Sequence, residues 1–263
     1  MEYPDLCAIA AKPSDIVSVY AHHGAMVLRS FLPAEELAIL QQVASLAFGI
    51  GDSIVANLPI GRAPSDVSDG LAHGYVSWKT MTAWLACTAP DLLGDLASVT
   101  NRVQAAAASA YRDPDTRFLE GFSVIRRHRR MPRSGEVTAA AWHRDFSFVG
   151  PAGIDQSVNF WFPLVEVGID APSLEIVVGS HRYMREIPDE TPGITNIAEE
   201  WLATHLSDYV RWTPSCRPGD VVMFDHQTIH RTQQLGRTAA IDRMNFEMRW
   251  RLSAGFDALA VHS

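Results

Sequence analysis

Hydrophobic and polar positions follow two rhythms along this chain, and the change falls near residue 115. In the first part apolar residues recur at helical spacing. Leu37, Leu40, Val43, Ala44 and Ala47 form one face of a helix that starts after Leu32-Pro33, with Glu35 and Glu36 in its first turn. Proline suits that position, and acids there complement the helix dipole. Asp91 to Tyr111 is alanine-rich and reads as a second helix, ended by Asp113-Pro114. Ala21 to Phe31 is expected to hold a short strand leaving a glycine turn. Gly49 to Gly74 is rich in Gly, Pro, Ser and Asp and is expected to be a long loop.

The second part carries short strand signals separated by turns. They fall at Phe118 to Ile125, Ser157 to Val167, Leu174 to Val178, Val210 to Pro214, Asp220 to Phe224 and Arg243 to Leu252, with Pro218-Gly219-Asp220 as a turn. Helices first and strands later argue against a βαβ fold. The expected fold is mainly β with flanking helices, built on a double-stranded β-helix (jelly-roll, cupin-type) core. We expect a single domain over residues 1–263, helix-rich to about 115, with the jelly roll from about 116 to 255.

Composition narrows the partners. The chain has 47% hydrophobic and 20% charged residues, ordinary for a globular protein. Its formal charge of −8 argues against nucleic acid as the main partner, because phosphate binding needs a basic surface. The run Arg126-Arg127-His128-Arg129-Arg130 reads as a solvated strand end or loop. Cys7, Cys87 and Cys216 are far apart and form no CxxC pair, so neither a disulfide framework nor a structural zinc site is expected. The N-terminus lacks the basic start and apolar run of a signal peptide, and no stretch approaches about 18 uninterrupted apolar residues. The expectation is a cytoplasmic protein with no membrane partner, acting on a small molecule.

Candidate chemistry centres on Trp142-His143-Arg144-Asp145. On an extended segment residues i and i+2 face the same side, so His143 and Asp145 can address one ion. A lone H-x-D is weak evidence. A third ligand strengthens it, and His226 and His230 compete for that place at the end of a buried-looking strand. His230 is preferred because Thr232 and Arg243 follow it, and an arginine can bind a distal carboxylate through two parallel hydrogen bonds. Two histidines and one carboxylate on one face of a metal suit iron(II), whereas zinc more commonly takes a tetrahedral site.

These residues resemble the phytanoyl-CoA dioxygenase family of iron(II)/2-oxoglutarate oxygenases over most of the chain. The likeness rests on five ordered motifs. They are the opening strand at His23 to Leu32, Trp142 to Asp145, Phe160 to Leu164, Leu174 to Arg182 with Gly179-Ser180-His181, and Gly219-Asp220 through His230 with the arginine beyond. There are departures. Val178 stands where proline is usual, Ser173 stands where glycine is common, and the spacing from His230 to Arg243 is about two residues long, which leaves Arg237 as a weaker alternative arginine.

The resemblance implies an Fe(II) centre on His143, Asp145 and His230. It implies 2-oxoglutarate held by Arg243 and Thr232, and use of O2 with release of succinate and CO2. Arg126 is a candidate to face the oxoacid or an anionic substrate. The carboxylate of Asp145 favours hydroxylation over halogenation. Trp78, Trp142, Phe146 and Phe148 are candidate pocket residues. Two other readings remain: a cupin-type hydrolase or isomerase on the same ligands, and a non-catalytic binding protein of the same fold.

Overall fold

The structure, a computed structural model, describes residues 5–7, 13–57, 70–71, 74–111, 113–131, 139–145, 157–183, 197–236 and 238–251. Eleven strands among them form two sheets. The large sheet contains β1 (Asp5–Cys7), β2 (Ala25–Arg29), β3 (Tyr75–Ser77), β4 (Arg117–Phe118), β5 (Val124–His128), β6 (Ser157–Pro163), β9 (Val221–Asp225) and β11 (Arg243–Arg251). Their order is β1-β2-β9-β6-β11-β5-β3, with β4 also on β11. Every pairing in it is antiparallel except β1 with β2. The small sheet has the order β10-β7-β8, from β7 (Leu174–Val177), β8 (Arg211–Trp212) and β10 (His230–Thr232). The expected jelly-roll core with flanking helices is present. The helix-rich first part also supplies β1, β2 and β3 to the large sheet.

The large sheet is buried on both faces, and this explains its sequence. Helices α1 (Pro13–His23), α2 (Ala34–Asn57), α3 (Trp78–Thr88) and α4 (Pro90–Tyr111) precede most of it. Leu40, Val43, Val99 and Val103 from α2 and α4 pack with Met26, Leu28, Phe160, Phe162, Met223, Phe246, Met248 and Trp250 on the outer face. Between the sheets, Ala25, Val27, Trp161, Val222 and Phe224 meet Leu174, Ile176 and Trp212. Alternate residues of one strand therefore serve two cores, as the period of two requires. β6 is buried at every position and reads as a continuous apolar run.

β11 alternates in the unusual sense. Met244, Phe246, Met248 and Trp250 join the helical core, while Arg243, Asn245 and Glu247 are buried polar positions on the other face and Arg249 follows in the same register. The polar row points into the barrel rather than to solvent. It supplies the lining described below.

Three local expectations change. The strand expected over Phe118 to Ile125 is two strands, β4 and β5, separated by a 3-10 turn at Glu120–Phe122. Residues 49–57, expected to open a loop, belong to α2, which continues to Asn57, and residues 58–69 of that expected loop lie outside the described residues. The basic run is not a solvated face. Arg127 and Arg129 pair with Asp52 of α2 at 2.8 and 2.9 Å, and Arg126 pairs with Glu247. Helix α2 is long and apolar enough to cross a membrane by length and composition alone. Here Leu40, Val43, Ala44, Ala47 and Phe48 are buried in the core, and Arg102 of α4 grips Glu36 with two hydrogen bonds.

Glycine and small polar residues join the two sheets. Gly24 has φ +69°, and a Cβ there would fall 2.1 Å from Nδ1 of His181. Only glycine lets β2 start that close to the Gly179-Ser180-His181 turn. Gly179 N–H donates to His23 O, Ser180 Oγ accepts from Ile229 N–H, and His181 Nε2 meets Ala21 O. Val178, in the place where proline is usual, donates its amide to Val210 O at 2.9 Å. Proline has no such donor.

Phe246 is fully buried between β11 and Trp78 of α3. Phe246→Ala is expected to destabilise the fold by about 3–5 kcal/mol. Met131→Ala, at an exposed position, should stay within about 0.5 kcal/mol. Urea unfolding followed by circular dichroism measures both.

Candidate metal centre and its cavity

The backbone brings the first and third candidate ligands together. His143 and His230 form an isolated antiparallel bridge, with His143 N–H donating to His230 O at 2.9 Å and the reverse bond at 3.0 Å. The segment around His143 thus extends the small sheet beside β10. Their rings lie 4.2 Å apart between centroids. Asp145, two residues after His143, turns to the same side.

The three side chains converge. Asp145 Oδ1 is 3.8 Å from Nε2 of His143 and 3.8 Å from Nε2 of His230. The potential ligand atoms all lie within 4.8 Å of one another, and all three residues are buried. Each histidine is oriented through its other nitrogen. His143 Nδ1 donates to Ala141 O at 2.7 Å, and His230 Nδ1 donates to Thr228 O at 2.9 Å. Carbonyls only accept, so Nδ1 carries the proton and Nε2 keeps its lone pair. Burial and the neighbouring His230 push the His143 pKa down to about 3, leaving a neutral ring at physiological pH.

Asp145 is held on one oxygen only. Its Oδ2 accepts from Asn159 Nδ2 at 2.9 Å and from Arg249 Nε at 3.1 Å. Oδ1 has no hydrogen-bond partner despite its burial. Burial alone would favour the neutral acid, but Arg249, His230 and His143 hold the pKa down at about 2. A bare carboxylate oxygen facing two imidazole lone pairs is stable beside a cation and costly without one. The donor set therefore fits a divalent ion such as Fe(II), with three protein ligands on one side.

His226 is turned away from this cluster. Its Nδ1 lies 3.2 Å from Asp225 Oδ1 and beside the Ser157 backbone, and these contacts raise its pKa against the effect of burial. Asp225 also accepts from Tyr20, which in turn bonds Tyr111. This buried polar group ties α1 and α4 to the end of β9.

A cavity of about 520 Å³ opens beside the triad. Its lining includes Arg126, Arg243, Thr232, Asn159, Glu247 and Arg249. Arg243 is 1% exposed. Nη1 reaches the carbonyls of Pro172 and Ser173 at 3.3 and 3.5 Å, while Nε has no partner. Burial pushes its pKa down to about 9, although the more distant Glu247 carboxylate pulls the other way. Thr232 Oγ1 accepts from Ala140 N–H at 3.1 Å, which leaves its own proton to donate. The other arginines are already compensated. Glu247 accepts from Arg126 at 2.8 Å and lies 3.4 Å from Arg249, and these two cations outweigh burial to hold its carboxyl well below the usual range.

Other candidates lie elsewhere. Trp78 begins α3 in the outer core against Phe118 and Phe246 and lines a separate cavity of about 220 Å³. It is displaced from the metal cavity because the large sheet stands between them. Trp142 is buried outside the cavity with Val177, Ile197, Leu202 and Ile229. Its Nε1 donates to Glu199 Oε2 at 2.7 Å, and the guanidinium groups of Arg231 and Arg211 lie over its ring at 4.3 and 5.5 Å. It pins the His143 segment to helix α5 (Glu199–His205). Phe146, Phe148 and Arg237 lie outside the described residues. Sequence reading missed Asn159, Glu247 and the contact of Arg249 with Asp145. The even spacing of Arg243, Asn245, Glu247 and Arg249 was the signal available for two of them.

Fold and cluster together define a jelly-roll protein with a candidate metal centre of two histidines and one carboxylate. The chain belongs to the phytanoyl-CoA dioxygenase (PhyH) family, whose model matches residues 20–236. No curated protein matches the sequence. Among solved structures, the non-haem α-ketoglutarate-dependent carbocyclase SnoK from nogalamycin biosynthesis superposes with a TM-score of 0.65 at 17% identity, covering 93% of this chain and 86% of SnoK. EctD from S. alaskensis, solved with 2-oxoglutarate and 5-hydroxyectoine, gives 0.62 at 19% identity, covering 96% and 83%. The epimerase SnoN, solved with Fe3+, α-ketoglutarate and nogalamycin RO, gives 0.61 at 18% identity, covering 91% and 83%. At these identities the likeness concerns the fold.

Anaerobic titration with Fe(II) is expected to saturate at one ion per chain. His143→Ala and His230→Ala should abolish that binding, and His226→Ala should retain it. Loss in His226→Ala with retention in His230→Ala would reassign the third ligand.

Proposed function

We propose that this protein is an Fe(II)- and 2-oxoglutarate-dependent dioxygenase that hydroxylates an unactivated C–H bond of a small polar metabolite, releasing succinate and CO2. The observation that carries this reading is the polarity of one cavity. The potential ligand atoms of His143, Asp145 and His230 meet in its wall, and the buried guanidinium of Arg243, with no ion pair to a carboxylate among the described residues, lines the same cavity. An oxoacid with a second carboxylate matches both groups at once. A metal-dependent hydrolase or isomerase gives Arg243 no task.

His143, Asp145 and His230 would hold the iron, which when bound supplies oxidative decarboxylation of the oxoacid and C–H oxidation. Asn159 and Arg249 would keep Asp145 on a single oxygen, leaving the remaining coordination positions for oxoacid and O2. Arg243 and the Thr232 hydroxyl would receive the distal carboxylate through charge-assisted hydrogen bonds. The buried surroundings strengthen these contacts and keep bulk water from the reacting atoms. Tyr75, Ser77, Phe122, Val124 and Arg126 complete the lining and form the side available to the substrate. Carbocyclase and epimerase are the printed activities of two structural neighbours, so product analysis must separate hydroxylation from those outcomes.

A metabolite screen scored by succinate formation tests the reading directly. Turnover without succinate would favour the hydrolase or isomerase alternative. Arg243→Ala is expected to cost about 2–5 kcal/mol in kcat/KM for 2-oxoglutarate, the range for truncating one partner of a buried charge pair. Its affinity for Fe(II) should change little. Undiminished turnover in that variant would move the role to Arg237.

A further inference from the structure

Arg126 holds more donors than its partner takes. Glu247 accepts from Nε at 2.8 Å and from Nη2 at 3.4 Å. A guanidinium carries five N–H groups, so the edge formed by Nη1 and the second Nη2 hydrogen makes no hydrogen bond among the described residues. The side chain is 30% exposed and lines the cavity. Cross-strand pairing sets Arg126 of β5 beside Tyr75 of the edge strand β3, and its guanidinium lies 5.7 Å from the centre of the Tyr75 ring. Phe122, on the 3-10 turn, lines the same cavity and is 39% exposed. An unused cationic edge thus stands beside uncovered aromatic surface. The charge of the loaded site is unbalanced in the same sense. The two negative charges of 2-oxoglutarate equal the two positive ones of Fe(II). Arg231, also in the lining, is spent on Glu175 at 2.7 Å. Arg126, Arg243 and Arg249 then face Asp145 and Glu247, three cations against two carboxylates among the described residues of the lining. Buried charge is stable when matched, so a ligand that brings one negative charge completes the set.

We infer that the substrate is a monoanion, with its carboxylate received by the free edge of Arg126 and an aromatic or apolar body laid against Tyr75 and Phe122. The inference rests on the function proposed above and narrows its substrate class. A carboxylate brings one charge, whereas a phosphate monoester brings about 1.5 to 2. Two parallel hydrogen bonds from a guanidinium fix orientation as well as affinity, and so hold the body of the substrate relative to the metal. Glu247, bound to the opposite edge, fixes the plane of that guanidinium. A cationic substrate would be repelled by Arg126, and a neutral one would bring no charge to match it.

The test is anaerobic isothermal titration of protein loaded with Fe(II) and saturating 2-oxoglutarate. The probes are phenylacetate, 3-phenylpropionate and indole-3-acetate, each compared with its primary carboxamide, which keeps the shape and removes the charge. At least one carboxylate is expected to bind about tenfold more tightly than its carboxamide, the scale of a charge-assisted contact. Arg126→Gln is expected to erase that preference while affinities for Fe(II) and 2-oxoglutarate stay within about twofold. Equal binding of carboxylates and carboxamides, or binding of neither, overturns the inference, and this comparison needs no variant to fold. A preference that survives Arg126→Gln also overturns it, since the carboxylate is then held elsewhere. Weakened 2-oxoglutarate binding in Arg126→Gln would place that arginine on the oxoacid and overturn it likewise. Wild-type protein that binds Fe(II) but not 2-oxoglutarate would overturn the proposed function and this inference with it. Loaded wild-type protein without the carboxylate preference would overturn the inference alone.

Discussion

The row of charges on the inner face of β11 is the constraint on which the architecture turns. Arg243, Asn245 and Glu247 are buried within the barrel, and Arg249 reaches Asp145 from the same row. Buried charges are stable only when paired or hydrogen-bonded. Arg126 and Arg249 answer Glu247, and Asp145 answers Arg249. Arg243 is the remainder, a buried cation that feels Glu247 only at a distance and forms no ion pair among the described residues. The same strand must also be covered outside, because Met244, Phe246, Met248 and Trp250 face the other way. Helices α2 to α4 are thus a requirement of the site as well as of the fold.

The triad gains its geometry from ordinary backbone pairing. Two histidines 87 positions apart in sequence become neighbours because their strands exchange two hydrogen bonds. Carbonyls two residues before each then settle which nitrogen faces inward. Trp142 and Ser180 support this from outside, the first through Glu199 and the second through the Ile229 amide. The residues around the centre therefore act mainly by removing alternatives: the wrong tautomer, the second carboxylate oxygen, a rotated ring.

Much of this was legible in the residue pattern. Amphipathic spacing in α2 and α4, strand alternation after residue 115 and the turn at Gly219 led to a jelly roll with helices outside. The H-x-D pair, His230 and Arg243 were found because ligand chemistry needs those residue types and because i, i+2 spacing on extended chain fixes a shared side. The 3-10 turn that splits β4 from β5 was not legible. Its residues alternate well enough to pass as one strand, and only the register against β11 reveals the break. Trp78 illustrates the opposite error, since an aromatic residue carries no mark of the face it will cover.

The sequence by itself determined the local conformations, the family motifs and the three side chains able to share an ion, because these depend on periodicity and on residue chemistry. The tertiary structure alone decided the second circle of contacts. Asn159 and Arg249 meet on one oxygen of Asp145, Glu247 bridges two arginines, and Trp161 sits beneath Arg243. None of these pairs follows from spacing, since each joins strands whose neighbour relations arise only when the sheet closes. The physical reason is that a strand's sequence reports which faces are buried, whereas the partner across the barrel is set by register and strand order.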